Sequence, residues 1–259
     1  MKKNCSGRNW PATRSTGGGC TTAWSPTCGD GRQPIVKLIL QTVGYGFFAL
    51  VVFGLLLFWP AGTFDYWQAW VFLAIYAVAA VAPTLAWGPR NPAVLQRRIR
   101  GGPAAETRAA QKLAVTGLFA AFGSLLVVSA LDHRFGWSTA PTAVSVVGDV
   151  VLAVGLGLGI LAVAQNSYAA ANVTVEAEQP VISTGLYGLV RHPMYFALVI
   201  MMVGIPLALG SYWGLAGAVG GVPFLALRIA DEEKMLTNDL VGYRAYTQQV
   251  HYRLLPYVW

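Results

Sequence analysis

Four long stretches with hardly a charged side chain restrict this chain's fold more than any other feature. They run from Ile35 to Trp59, Tyr66 to Trp87, Leu113 to Leu131 and Val146 to Ala164. A helix of about 20 mostly apolar residues crosses the hydrocarbon core of a bilayer. A fifth apolar region, Met194 to Ile229, has room for two shorter helices, with a break near Gly210, Ser211 and Tyr212 where a Gly-Ser pair interrupts the run. The predicted class is all-α: a polytopic integral membrane helix bundle of four clear spans plus a C-terminal helical hairpin, with five to six helices in the membrane. Composition agrees, because only 11% of the residues are charged, against about a quarter in a soluble chain.

The excess of basic residues, +7 in formal charge, is accounted for by membrane topology, so no nucleic-acid partner is expected. Lys and Arg collect in cytoplasmic loops. With a cytoplasmic N-terminus, Lys37, the group from Arg90 to Lys112, Arg191, Arg228, Lys234, Arg244 and Arg253 all fall inside, and Arg134 is the one of 18 basic residues left outside. The expected topology therefore has both termini, and any site built around Arg191, on the cytoplasmic face. Trp59, Tyr66, Trp67, Trp87, Trp137, Tyr212 and Trp213 stand at span ends, where amphipathic rings form interfacial belts.

Three regions follow from this pattern: a tail over 1–34, N-terminal transmembrane helices over 35–131, and a core over 146–259. The tail is rich in Gly, Ser, Thr and Pro and is expected to be disordered, since it has too little apolar surface to offset its ordering entropy. It lacks the apolar core of a cleaved signal peptide. Its cysteines, Cys5, Cys20 and Cys28, fit neither a zinc site nor a paired disulfide framework. In the fourth span, Gly155 and Gly159 with Gly157 between them predict close backbone packing in lipid.

Two polar clusters are not explained by spanning. One runs from Asn166 to Tyr195 and holds Asn172, Glu176, Glu178, Gly185, Tyr187, Arg191, His192, Pro193 and Tyr195. Pro193 suits the first turn of a helix and biases His192 toward an extended backbone. The other begins with Arg228, Glu232, Glu233 and Met235 and continues through Tyr243, Tyr246, His251 and Arg253. Together they offer cations, an imidazole, carboxylates and phenols at one membrane face. No metal-ligand cluster is evident. A tail lying on the membrane as an amphipathic segment is an equal alternative for the residues around His251 and Arg253.

At these residues the chain resembles the isoprenylcysteine carboxyl methyltransferase family and its relatives, the phospholipid methyltransferases. The motifs are VISTGLY (Val181 to Tyr187), RHPMY (Arg191 to Tyr195), Arg228 followed by Glu232, Glu233 and Leu236, then Gly242, Tyr243 and Tyr246, and RLLP from Arg253 to Pro256. Two positions depart from the family pattern: Ala197 stands where Gly is frequent, and Leu186 where Pro is frequent.

The resemblance implies S-adenosylmethionine as cofactor, held by Gly185, Tyr187, Arg191, His192, Pro193, Tyr195, Glu232 and Glu233. Arg191 and His192 would meet its carboxylate end or shape the pocket for it, and Glu232 or Glu233 would pair with its amino group. Tyr187 and Tyr195 would place rings or hydroxyls near the cofactor, where a sulfonium is drawn to an aromatic face. No catalytic residue is assigned; Arg228 and Arg253 are the candidates, and Asn172, Tyr243 and Tyr246 are candidate acceptor contacts. The implied reaction is methyl transfer to a lipophilic carboxyl or thiol acceptor, with a phospholipid amine or a small thiol as alternatives. A transporter or membrane scaffold is the non-enzymatic alternative. Transporters tend to carry ionisable groups near the bilayer midplane, and these spans do not.

Overall fold

The computed structural model describes residues 35–87, 106, 108–166, 168 and 179–259. The expectations placed on residues 1–34, and on Asn172, Glu176 and Glu178, lie outside the described residues. Among the described residues, seven α-helices and a short 3-10 turn follow in order: α1 (Ile35–Ala61), α2 (Trp67–Trp87), α3 (Ala109–Phe135), α4 (Thr142–Gln165), the turn Gly185–Gly188, α5 (Pro193–Ala208), α6 (Leu215–Asp239) and α7 (Tyr243–Gln249). No strand occurs among the described residues.

Helices α1 to α4 are each long and apolar enough to cross a bilayer. The chain is thus a multi-pass helix bundle in which many large apolar side chains face outward. Phe47 (67% exposed), Phe48 (66%) and Trp59 (81%) on α1 illustrate this; lipid tails solvate such rings where water would not. The predicted hairpin is α5 and α6, and its turn holds Gly210 at φ 71°. Helix α6 runs beyond the apolar region to Asp239, which puts Arg228, Glu232 and Glu233 on one rigid rod.

The bundle pairs α4 with α5, α3 with α6, and α1 with both α2 and α3. The closest approach of α4 is not made at the Gly155 and Gly159 pair that the sequence singles out. A Cβ on Gly148 would stand 2.1 Å from the Ala208 backbone nitrogen, and one on Gly155 would stand 2.7 Å from Met201 Cγ. Gly159 makes only ordinary contact and Gly157 faces open space. The useful spacing is seven residues, two turns of one helix face, so that α5 lies against bare backbone along its length.

At the end of the bundle away from the two sequence clusters, Asp132 is 1% exposed. Its carboxylate accepts hydrogen bonds from the Ser138 amide (2.7 Å), the Ser138 hydroxyl (2.6 Å) and the Ser211 hydroxyl (2.5 Å). These bonds satisfy a group that would be costly to bury alone, and they tie the α3–α4 connection to the hairpin turn. Tyr66 belongs to this cap and not to the aromatic belt: it is fully buried and its hydroxyl donates to the Leu209 carbonyl at 2.8 Å. Trp67, Trp137, Tyr212 and Trp213 are exposed at the same end, as a belt requires.

Candidate functional site

The opposite end is built on the start of α5. Pro193 occupies its first turn, and His192 caps it with φ −123° and ψ 62°. That ψ falls short of the fully extended value that the proline favours. The backbone here is held from outside the helix: the Arg191 and His192 amides donate to the Tyr252 and Arg253 carbonyls, each at 2.9 Å. The C-terminal tail thus folds back across the Arg-His-Pro turn.

Glu233 gathers the basic groups of both clusters. Arg191 Nη1 lies 2.9 Å and His192 Nε2 3.4 Å from its Oε1, while Arg253 Nε donates to its Oε2 at 2.7 Å. Burial alone would raise the Glu233 pKa; the His192 imidazole with the Arg191 and Arg253 guanidiniums outweighs it and holds the carboxyl below its ordinary value. Glu233 Oε2 is thus held by a hydrogen bond, and Oε1 by the nearness of the Arg191 and His192 side chains without one among the described residues.

Glu232, one step round the helix, enters a different network. Its Oε2 accepts the Tyr195 hydroxyl proton at 2.6 Å, and the same hydroxyl oxygen accepts from Arg228 Nε at 2.8 Å. Arg228 is 4% exposed. Its Nη1 reaches Gln111 Oε1 (2.9 Å) and Glu106 Oε1 (3.2 Å), and its guanidinium carbon lies 5.8 Å from the Tyr195 ring centre. Gln111 also donates to the Arg228 carbonyl and to Asp231, which Arg108 pairs at 3.0 Å.

Between these networks opens a cleft of about 100 Å³. Tyr187, Arg191, His192, Tyr195 and Glu232 form its polar side, with Tyr243 and Tyr246 from α7; Met194, Met235, Leu236 and Leu240 give it an apolar side. Pro193 also borders it, whereas Gly185, Glu233, Arg228 and Arg253 stand behind its walls. The Tyr246 hydroxyl donates to the Tyr187 carbonyl at 2.7 Å. The Tyr243 hydroxyl is buried with no hydrogen-bond partner among the described residues. Burial raises the pKa of both phenols, and the Glu233 and Glu232 charges add to the effect at Tyr243. Burial likewise pushes the Tyr187 phenol up to about 12.

Gly185 shapes the turn that carries Tyr187. Its φ is 62°, and a Cβ there would meet Gln165 Oε1 at 2.6 Å. That same oxygen accepts the Leu186 amide at 2.8 Å. Leu186 thus supplies an N–H that the proline frequent at this position in the family lacks. Ala197, the other departure, is fully buried near Gly155 and Gly159 of α4 and does not border the cleft.

Sequence reasoning passed over Tyr168 and Gln179 at the cleft, and Glu106, Gln111 and Asp231 behind it. The signal for the last group was faint: a Glu and a Gln leading into an otherwise apolar helix.

Residues 144–242, from the first turn of α4 to the residue before α7, match the phospholipid methyltransferase family, the family of isoprenylcysteine carboxyl methyltransferase-like proteins. Nothing among curated proteins matches the chain. The matched stretch holds the Gly185 turn, the start of α5 and the carboxylates of α6; Glu106, Gln111, α7 and the tail lie outside it.

Proposed function

We propose that this membrane protein is an S-adenosylmethionine-dependent methyltransferase of isoprenylcysteine carboxyl methyltransferase type, with its cleft on the cytoplasmic face and a lipophilic carboxyl or thiol acceptor. The observation that carries this reading is the division of labour between adjacent carboxylates. Glu233 is spent on Arg191, His192 and Arg253, while Glu232 faces the cleft and makes no ion pair among the described residues.

The lining suits the cofactor. Glu232 is the carboxylate for its ammonium, Arg191 the cation for its carboxylate, and Tyr195 and Tyr187 the rings beside a sulfonium. The Tyr243 hydroxyl, without a partner among the described residues, offers a further hydrogen bond inside a buried wall. When bound, the cofactor supplies an electrophilic methyl group. The protein's task is then alignment of the acceptor and exclusion of water. Tyr195, fixed between Arg228 and Glu232, and Tyr246, bonded to the Tyr187 carbonyl, make that wall rigid.

A carboxylate or thiolate acceptor needs no base, whereas an amine must first lose a proton. Glu232 is the one carboxylate among the described cleft residues, and the His192 Nε2 is turned toward Glu233. With Glu232 on the cofactor's ammonium, the cleft favours an acceptor that is already ionised. The cytoplasmic assignment rests on Arg108, Lys112, Arg191, Arg228, Lys234, Arg244 and Arg253 at the cleft end against Arg134 at the other.

Two measurements test the reading. Calorimetry on folded protein in detergent is expected to show cofactor binding, and its absence, with and without candidate acceptors, overturns the proposal. Membranes incubated with methyl-labelled cofactor are expected to yield base-labile methyl ester or thioether; label confined to lipid amine would reassign the acceptor.

A further inference from the structure

We infer that Glu106, from the segment leading into α3 and outside the family-matched stretch, is a positioning residue that sets the charge of the cleft: it offsets Arg228 so that Glu232 is left to pair with a cationic ligand. The inference rests on the reading of the cleft as a cofactor site and adds a control that the reading does not contain.

Among the described residues, Glu106 and Glu232 flank Arg228 on two sides. Glu106 Oε1 is 3.2 Å from its Nη1, and Glu232 is joined to its Nε through the Tyr195 hydroxyl. Glu106 and Arg228 are buried, 5% and 4% exposed, so their pairing is little screened by solvent. Among the described residues, Glu106 offsets the guanidinium directly, which leaves Glu232 at the cleft wall as the anion open to a ligand. Without Glu106, Arg228 would be balanced by Glu232 instead, and the cleft would lose its attraction for an ammonium. Gln111 Oε1, 2.9 Å from the same Nη1, holds the guanidinium in place without adding charge. Its amide group spans the Arg228 carbonyl and Asp231, which fixes the register of α3 against α6.

The arrangement separates two kinds of ligand. S-adenosylhomocysteine carries the amino-acid ammonium; 5′-methylthioadenosine has the same nucleoside and sulfur but no ammonium. In Glu106→Gln, nearly isosteric, S-adenosylhomocysteine is expected to bind about tenfold more weakly, the scale of one charge acting across roughly 10 Å of protein, while methylthioadenosine binding is unchanged. Glu106→Asp keeps the charge on a shorter side chain and is expected to leave the ratio of S-adenosylhomocysteine to methylthioadenosine affinity as in the wild type; it serves as the test if Glu106→Gln does not fold, and a selective loss of S-adenosylhomocysteine in it would overturn the inference. Equal weakening of both ligands in Glu106→Gln, or no change in either, overturns the inference and leaves Glu106 a packing residue. Wild-type protein that binds neither ligand overturns the reading of the cleft itself, a distinct outcome.

Discussion

Arg253 Nε donates to Glu233 Oε2 at 2.7 Å, and through this bond the C-terminal tail grips the helix that carries the cleft's carboxylates. The two partners are unequal: the Arg253 side chain is 41% exposed, the Glu233 side chain 10%. An exposed partner in an ion pair contributes up to about 1 kcal/mol. Removing a buried partner leaves the opposite charges uncompensated and costs about 3–5 kcal/mol. Arg253→Ala is therefore expected to lower Tm in detergent slightly, and Glu233→Ala severely, because Arg191 and His192 lose their anion together. Equal losses in the two variants would contradict the hub assigned to Glu233.

Acid should expose the same hub. The Glu233 carboxyl lies below its ordinary pKa in the folded protein, so the unfolded chain binds its proton more readily. Its stabilisation is complete above the unfolded value, about 4.3 for a Glu, and is lost as pH falls through the lower folded value. A Tm profile from pH 6 to pH 3 should drop on the acid side in the wild type and lose that component in Glu233→Gln.

The paired phenols of α7 separate binding from stability. The Tyr246 hydroxyl bonds the Tyr187 carbonyl, whereas the Tyr243 hydroxyl is buried without a partner among the described residues. Tyr246→Phe is expected to cost about 1 kcal/mol, the net value of one hydrogen bond. Tyr243→Phe removes a desolvated group that gains nothing in the free protein, so stability should hold or rise while cofactor affinity falls. Calorimetry beside thermal melts checks both, and a destabilised Tyr243→Phe with unchanged affinity would refute the role.

The spans, the hairpin break and the RHPMY turn were legible in the sequence because each follows from local chemistry: apolar length, a Gly-Ser interruption, a proline at a helix start. The division between Glu232 and Glu233 was not. Adjacent residues on a helix point about 100° apart, and only the packing of α5 and the returning tail decides which of them meets the cleft. Glu106 was hidden for the same reason, since it meets Arg228 across more than a hundred intervening residues. Tyr66 misled because a tyrosine at a span end resembles a belt residue until its hydroxyl is seen to bond Leu209 across the bundle. Gly148 carried no more sequence signal than Gly159, yet it is the one that touches α5 backbone.

The turn at Gly185 gives a prediction with two separable parts. Any side chain there must adopt φ near 62° and also displace Gln165, whose Oε1 would lie 2.6 Å from the new Cβ. The left-handed conformation costs a non-glycine residue roughly 1–2 kcal/mol. Displacing Gln165 also breaks its bond from the Leu186 amide, worth about 1 kcal/mol. Gly185→Ala should thus lose both increments, with cofactor affinity falling because Tyr187 shifts with the turn. Gln165→Ala should lose only the second. In the double variant the steric conflict is gone, so its loss should be smaller than the sum of the single losses, as expected when two residues share one partner. Strictly additive losses in denaturant titrations would show that the turn does not lean on Gln165, and that Leu186 takes nothing from having an N–H where relatives frequently have proline.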